Sequence, residues 1–96
     1  MPTLFFTEQL FREGDAIIAY CPELDISSCG HSETEARANL QTALRLFLEE
    51  AARMGTLADI LAEAGYDISQ SLMLSPMFSV TTRQFPLQEP LARCLV

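Results

Sequence analysis

Cys29 and His31 are the pair in this chain that most resembles catalytic machinery. Two residues apart, on a strand they would share a face, and a thiol beside an imidazole is the minimum for nucleophilic catalysis. Ser27 and Ser32 lie close in sequence, but no third group is evident to orient the imidazole. The reading preferred for His31 is a loop at a strand end that leads into a helix cap. Acid–base work would need paired carboxylates. Glu23 with Asp25, and Glu49 with Glu50, are the candidates; the first pair falls in a bend and the second on a helix face, where solvated surface is the plain alternative.

Cys21, Cys29 and Cys94 lack the close C-x-x-C spacing of a zinc or redox site, and His31 is the sole histidine. Buried free thiols in a reducing compartment are the expectation. Gly14, Gly30, Gly55 and Gly65 are scattered among element ends, which suits turns and caps rather than a phosphate cradle. The expectation is a non-enzyme with no cofactor and no metal.

Charge points toward a partner. The 96 residues carry 13 acidic and 6 basic side chains, a net charge of −7, and every basic residue is arginine. Phosphate neutralisation dominates nucleic-acid affinity, so this balance argues against nucleic acid as the main ligand. A basic protein fits better, because opposite potentials steer association; solubility alone is the simpler account. The charge is uneven. Residues 1–67 hold 12 acids and 4 arginines, a net −8, whereas 68–96 hold Glu89 against Arg83 and Arg93, a net +1.

One domain is expected at this length. With 49% hydrophobic residues the chain is no disordered acidic tail. Its own core is modest, so a homodimer or higher homo-oligomer is expected. No run approaches the roughly 20 apolar residues of a membrane span. Met1–Phe6 lacks the features of a signal peptide, so the expectation is a cytoplasmic protein with no membrane partner.

The elements that would position these side chains follow from patterning. Thr3–Arg12 interleaves Phe and Leu with polar residues and suits a strand. Glu13-Gly14-Asp15 is a tight turn, and Ala16–Cys21 reads as a strand buried on both faces, giving a hairpin. Pro22-Glu23-Leu24-Asp25 forces a bend before a short third strand, Ile26–Gly30. Ser32 and Glu35 have capping-box spacing. Ala36, Leu40, Ala43, Leu44, Phe47 and Ala51 then recur at helical spacing, to about Met54 with Gly55 as the stop. Leu46 and Leu48 widen the apolar side, which again hints at a second subunit or partner. Thr56 and Asp59 resemble the start of a short second helix through Leu57, Ile60, Leu61 and Ala64, stopped by Gly65. Tyr66-Asp67-Ile68 reads as a further extended stretch, and Ser69–Pro76 as loop. Met77–Phe85 alternates like a late strand, and Pro76, Pro86 and Pro90 exclude a long helix there.

In order, residues 13–50 combine a glycine hairpin, an apolar strand ending at Ala19-Tyr20, the Pro22-Glu23-Leu24 bend, a short strand closing at Gly30, and a helix with Glu35-Ala36, Asn39-Leu40 and Ala43. This ordered set resembles the HicB-like antitoxin family of type II toxin–antitoxin systems. It covers about half the chain, and extends more loosely to Ile68. The resemblance implies an α+β domain in β-β-β-α-β order, a small antiparallel sheet with one long helix packed on it and a short second helix. It implies a protein that neutralises a small basic mRNA-cleaving ribonuclease toxin by direct binding. Glu23, Asp25, Glu49 and Glu50 are then the partner-binding candidates. Gly14, Pro22, Gly30, Ser32, Glu35 and Asn39 are architectural, setting turns, the helix cap and a helix–loop contact.

The chain departs from the family pattern after Ile68. Family members often carry a C-terminal operator-binding module, and residues 69–96 show no pair of amphipathic helices, which makes DNA binding doubtful. The expected organisation is a domain over 1–68 and an extension over 69–96, loop plus one strand, that exchanges between subunits. A stand-alone regulatory or nucleic-acid-binding domain without a toxin is the alternative function.

Overall fold

The long helix and the strand before it are locked together at Gly30. In the computed structural model, described over residues 1–95, Gly30 ends a strand at the point where the helix begins its first turn. An added Cβ there would lie 2.7 Å from the Ala36 backbone nitrogen, so only glycine permits this approach. Numbered in chain order, the elements are β1 (Thr3–Leu4), β2 (Gln9–Glu13), β3 (Ala16–Cys21), β4 (Ile26–Gly30), α1 (Glu33–Arg53), α2 (Leu57–Glu63) and β5 (Leu72–Met73), with a 3₁₀ turn at Ala92–Leu95. No helix among the described residues is long and apolar enough to cross a membrane.

β2, β3 and β4 form an antiparallel meander in that order. Glu13 pairs with Ala16, leaving Gly14 and Asp15 as a two-residue turn. Gly14 has φ +60°, as the first central position of a type II′ turn requires. The β3–β4 connection is Pro22–Asp25, with Asp25 in the left-handed region at φ 54°. Asp tolerates this conformation better than most residues. The Tyr20 hydroxyl donates to its Oδ1 at 2.7 Å.

Ser32 caps α1, its Oγ accepting from the Glu35 N–H at 3.1 Å. Asn39 Nδ2 donates to the Cys29 carbonyl at 2.7 Å, which pins the helix to the strand it follows. With Ala36 beside Gly30 and Asn39 beside Cys29, α1 runs back antiparallel to β4. Its buried stripe of Ala36, Leu40 and Leu44 meets Ile17, Ala19 and Cys21 of β3. Phe6, Leu10, Leu24 and Ile26 close the margin of this core. The result is an α+β architecture, a three-stranded antiparallel sheet with one long helix packed on it and a short second helix, as expected.

Several expectations are corrected. β3 is buried on one face only: Ile17, Ala19 and Cys21 point to α1, while Ile18 and Tyr20 on the other face are partly exposed. A single helix layer covers one side of a three-stranded sheet. Phe47, in phase with the stripe, is 37% exposed. At about 1.5 Å per residue the 21-residue helix is about 31 Å long, against about 20 Å for a six-residue strand, so roughly its C-terminal third overhangs the sheet. Thr3–Arg12 is not one strand. It splits into β1 and β2 because Thr7 turns inward to hydrogen-bond Glu23.

Thr56 occupies the N-cap of α2 without capping it. Its Oγ1 donates back to the Ala51 carbonyl at 3.3 Å. Tyr66–Ile68 is no strand: Asp67 accepts from both the backbone and the hydroxyl of Ser69, an Asx-type turn. The late strand lies at Leu72–Met73 rather than within Met77–Phe85, and it pairs in parallel with β1 rather than at the edge of the meander. Tyr66 is buried, its hydroxyl donating at 2.8 Å to the carbonyl of Phe5, the residue that follows β1.

Candidate functional site

The face of the meander turned away from α1 is the surface that sequence reasoning missed. Strand side chains alternate, and directly paired residues share a face. Phe11 pairs with Ile18, Ile18 with Cys29, Tyr20 with Gln9 and Ser27, and Ala16 with Glu13. All of these point outward. At the centre stand Phe11, Ile18 and Tyr20; the Phe11 and Tyr20 rings sit 6.4 Å apart with a 56° tilt. Phe11 is half-exposed. Acids border this apolar strip. Glu13 lies at the hairpin end, and Asp25, held by Tyr20, at the other. The Asp25 carboxylate raises the pKa of the Tyr20 hydroxyl, chiefly by accepting its hydrogen bond. The legible signal was the apolar residues on both sides of Ala16–Cys21.

The four acidic candidates divide. Asp25 belongs to this outer face. Glu23 does not: its carboxylate turns inward and accepts from the Thr7 N–H at 2.9 Å, the Thr7 hydroxyl at 2.6 Å and the Ser75 hydroxyl. Burial pushes the Glu23 pKa up, but the hydrogen bonds from Ser75 and Thr7 outweigh it and hold the carboxyl below its ordinary value. Glu23 is thus a tie between the β1–β2 connection, the Pro22–Asp25 bend and the segment after β5. Glu49 and Glu50 lie on α1, the layer on the other side of the sheet. Glu50 pairs with Arg53, and Glu49 lies 3.8 Å from Arg45. They therefore share no continuous contact surface with the apolar centre beside Asp25.

Glu49 does border a second feature. A groove of about 420 Å³ runs between the β1–β2 connection and α1, lined by Leu4, Phe6, Gln41, Leu44, Arg45, Leu48 and Glu49. Arg37 and Glu8 form an ion pair at 2.8 Å between the same two segments.

Cys29 and His31 are not placed as a catalytic pair. The strand ends at Gly30, so His31 falls in the bend before α1 and the shared-face geometry lapses. Cys29 is an exposed thiol on the outer face. Cys21 is buried, and that burial, with the Glu23 carboxylate nearby, raises its thiol pKa. Such a thiol is a poor nucleophile. Among the described residues no group of three or more His, Cys, Asp or Glu is arranged to hold a metal ion. Gly14, Pro22, Gly30, Ser32 and Asn39 occupy the turns, the cap and the helix–strand contact already described. Glu35 lays its Cβ and Cγ over Gly30. Comparison of the chain with protein-family models, with curated proteins and with solved structures returns no match.

Proposed function

We propose that this chain is an antitoxin-like binding protein, similar to the HicB-like family, that neutralises a small basic mRNA-cleaving ribonuclease by direct binding. The observation that carries the reading is the outer face of the meander, an apolar centre of Phe11, Ile18 and Tyr20 bordered by Glu13 and Asp25. Apolar centres with polar rims are the common anatomy of protein interfaces. Acidic rims set against a basic partner accelerate encounter and disfavour wrong partners. The net −8 of residues 1–67 adds a long-range field of the same sign. The β-β-β-α order over Gln9–Arg53 is the one the family resemblance implies, and it supports the same reading.

Copurification in the native host under mild salt tests it. The expected result is a stoichiometric basic protein, smaller than this chain, whose ribonuclease activity is suppressed on adding the purified chain. Phe11→Asp and Tyr20→Ala should abolish capture while leaving the helical circular dichroism unchanged. Retrieval of a homo-oligomer alone, with a salt-sensitive gel shift on nucleic acid, would overturn the reading in favour of a stand-alone nucleic-acid-binding domain.

A further inference from the structure

The segment after Met77 is an apolar arm without a seat on its own body. Its root is fixed: Ser75 bonds Glu23, the Pro76 ring packs on Gly65, and Thr7 Oγ1 approaches Met77 Sδ at 3.7 Å. Beyond that root every residue from Phe78 to Leu91 is exposed. Phe78 is 98% exposed, Val80 71% and Phe85 75%. The Cα radius of gyration is 17.3 Å, against about 12.5 Å for a compact chain of this length, and the longest dimension is 53 Å. The arm therefore leaves the body instead of folding back over it.

The groove beside α1 is its complement. Leu4, Phe6, Leu44 and Leu48 give it an apolar floor, and none of its lining residues comes from the arm. Its volume is within the roughly 300–1,000 Å³ of sites that enclose a bound group. From Gln41 to Glu49 the helix advances about 12 Å, a length that four extended residues cover at about 3.3 Å each. Phe78 and Val80 point to one side of an extended segment and suit the floor. The arm and body also carry opposite net charge, +1 over residues 68–96 against −8 over 1–67.

We infer that the exposed arm of one copy, through its Phe78–Thr81 segment, occupies the Leu4–Phe6–Leu48 groove of a second copy, giving a reciprocal arm-exchanged homodimer. The exchange satisfies two apolar surfaces at once and is self-limiting, because a two-fold pairing uses both arms and both grooves. It uses the α1 side of the sheet and leaves the Phe11–Tyr20 face free, so it is independent of the toxin reading.

Light scattering of the purified full chain across the micromolar range tests the exchange without any partner. The expected mass is twice the 10.7 kDa of one chain. Phe78→Asp combined with Val80→Asp, at positions that support no core, should halve it. Leu48→Glu should halve it as well with unchanged circular dichroism; where that spectrum changes, the arm variant alone decides. A monomeric wild-type chain would overturn the proposal, whether the arm folds onto its own groove or awaits another protein. So would a dimer that survives the arm variant, or one that Leu48→Glu leaves intact in a folded protein.

Discussion

Replacing Gly30 by alanine probes the contact on which the helix–sheet layer depends. The new methyl carbon would stand 2.7 Å from the Ala36 nitrogen and 2.9 Å from Cβ and Cγ of Glu35, where carbon contacts relax near 3.5–4.0 Å. The Glu35 Cγ can swing aside. Ala36 N cannot: it belongs to the first turn of α1 and donates to the Ser32 carbonyl at 2.9 Å. The helix must instead lift from β4, loosening Ala36 and Leu40 over Ala19 and Cys21. Overpacking of this kind costs about 1–3 kcal/mol, and a backbone clash belongs in the upper half. Alanine lowers the unfolded chain's entropy and returns about 0.4–1 kcal/mol. The net expectation is a loss of about 1–2.6 kcal/mol, or roughly 4–21 °C in Tm for a domain of this size. Urea titration followed by circular dichroism measures it, with an unchanged m-value as the sign that only stability moved. Adding Glu35→Ala should recover less than half the loss, because the tightest contact is to backbone. A Gly30→Ala protein as stable as the wild type would refute the reasoning, since it would mean that α1 shifts on β4 without penalty.

Other perturbations read other parts of the structure. Glu23→Gln weakens the tie to Thr7 and Ser75 and should destabilise the protein by about 1–2 kcal/mol, with faster amide exchange at Thr7 and Met77. Because hydrogen bonding depresses the folded-state pKa of Glu23, its contribution is fully present above the unfolded value near 4.3 and fades as pH falls through the folded value. The acid limb of wild-type stability should therefore be steeper than that of Glu23→Gln below about pH 4.3; parallel limbs would remove Glu23 from the account. Tyr66→Phe deletes the bond to the Phe5 carbonyl and should cost about 1–2 kcal/mol in a thermal melt. An aromatic disulfide reagent at neutral pH should label Cys29 and Cys94 in the folded protein, and Cys21 only after denaturant is added. Rapid labelling of all three would contradict the burial of Cys21.

Local signals proved accurate where the physics is local. Ser32 and Gly55 bracket a helix whose cap bond and terminal left-handed glycine both form. Ala16–Cys21 and Ile26–Gly30 are delimited by the Gly14 turn and the Pro22 bend, and they emerge with the bounds their residue types set. Signals that depend on distant segments were read less well. Nothing near Thr7 announces that a carboxylate 16 residues away will bend the chain there. Leu72–Met73 lacks the alternation of Met77–Phe85, yet it becomes the strand because β1 lies beside it.

The candidate site divides along the same line. Charge sign, the absence of clustered metal-ligand spacing and the acidity of the first two thirds are properties of composition, and the sequence by itself determined them. Which acids face outward is not compositional. Glu23 and Asp25 are two residues apart in one bend, and tertiary structure turns one in to Thr7 and Ser75 and the other out to Tyr20. The apolar residues of β3 were legible, but not that α1 would cover one face and leave Ile18 and Tyr20 on the other. Periodicity specifies which residues lie on one side of an element. Only the packing of elements, a sum over contacts remote in sequence, decides which side is buried and which remains for a partner.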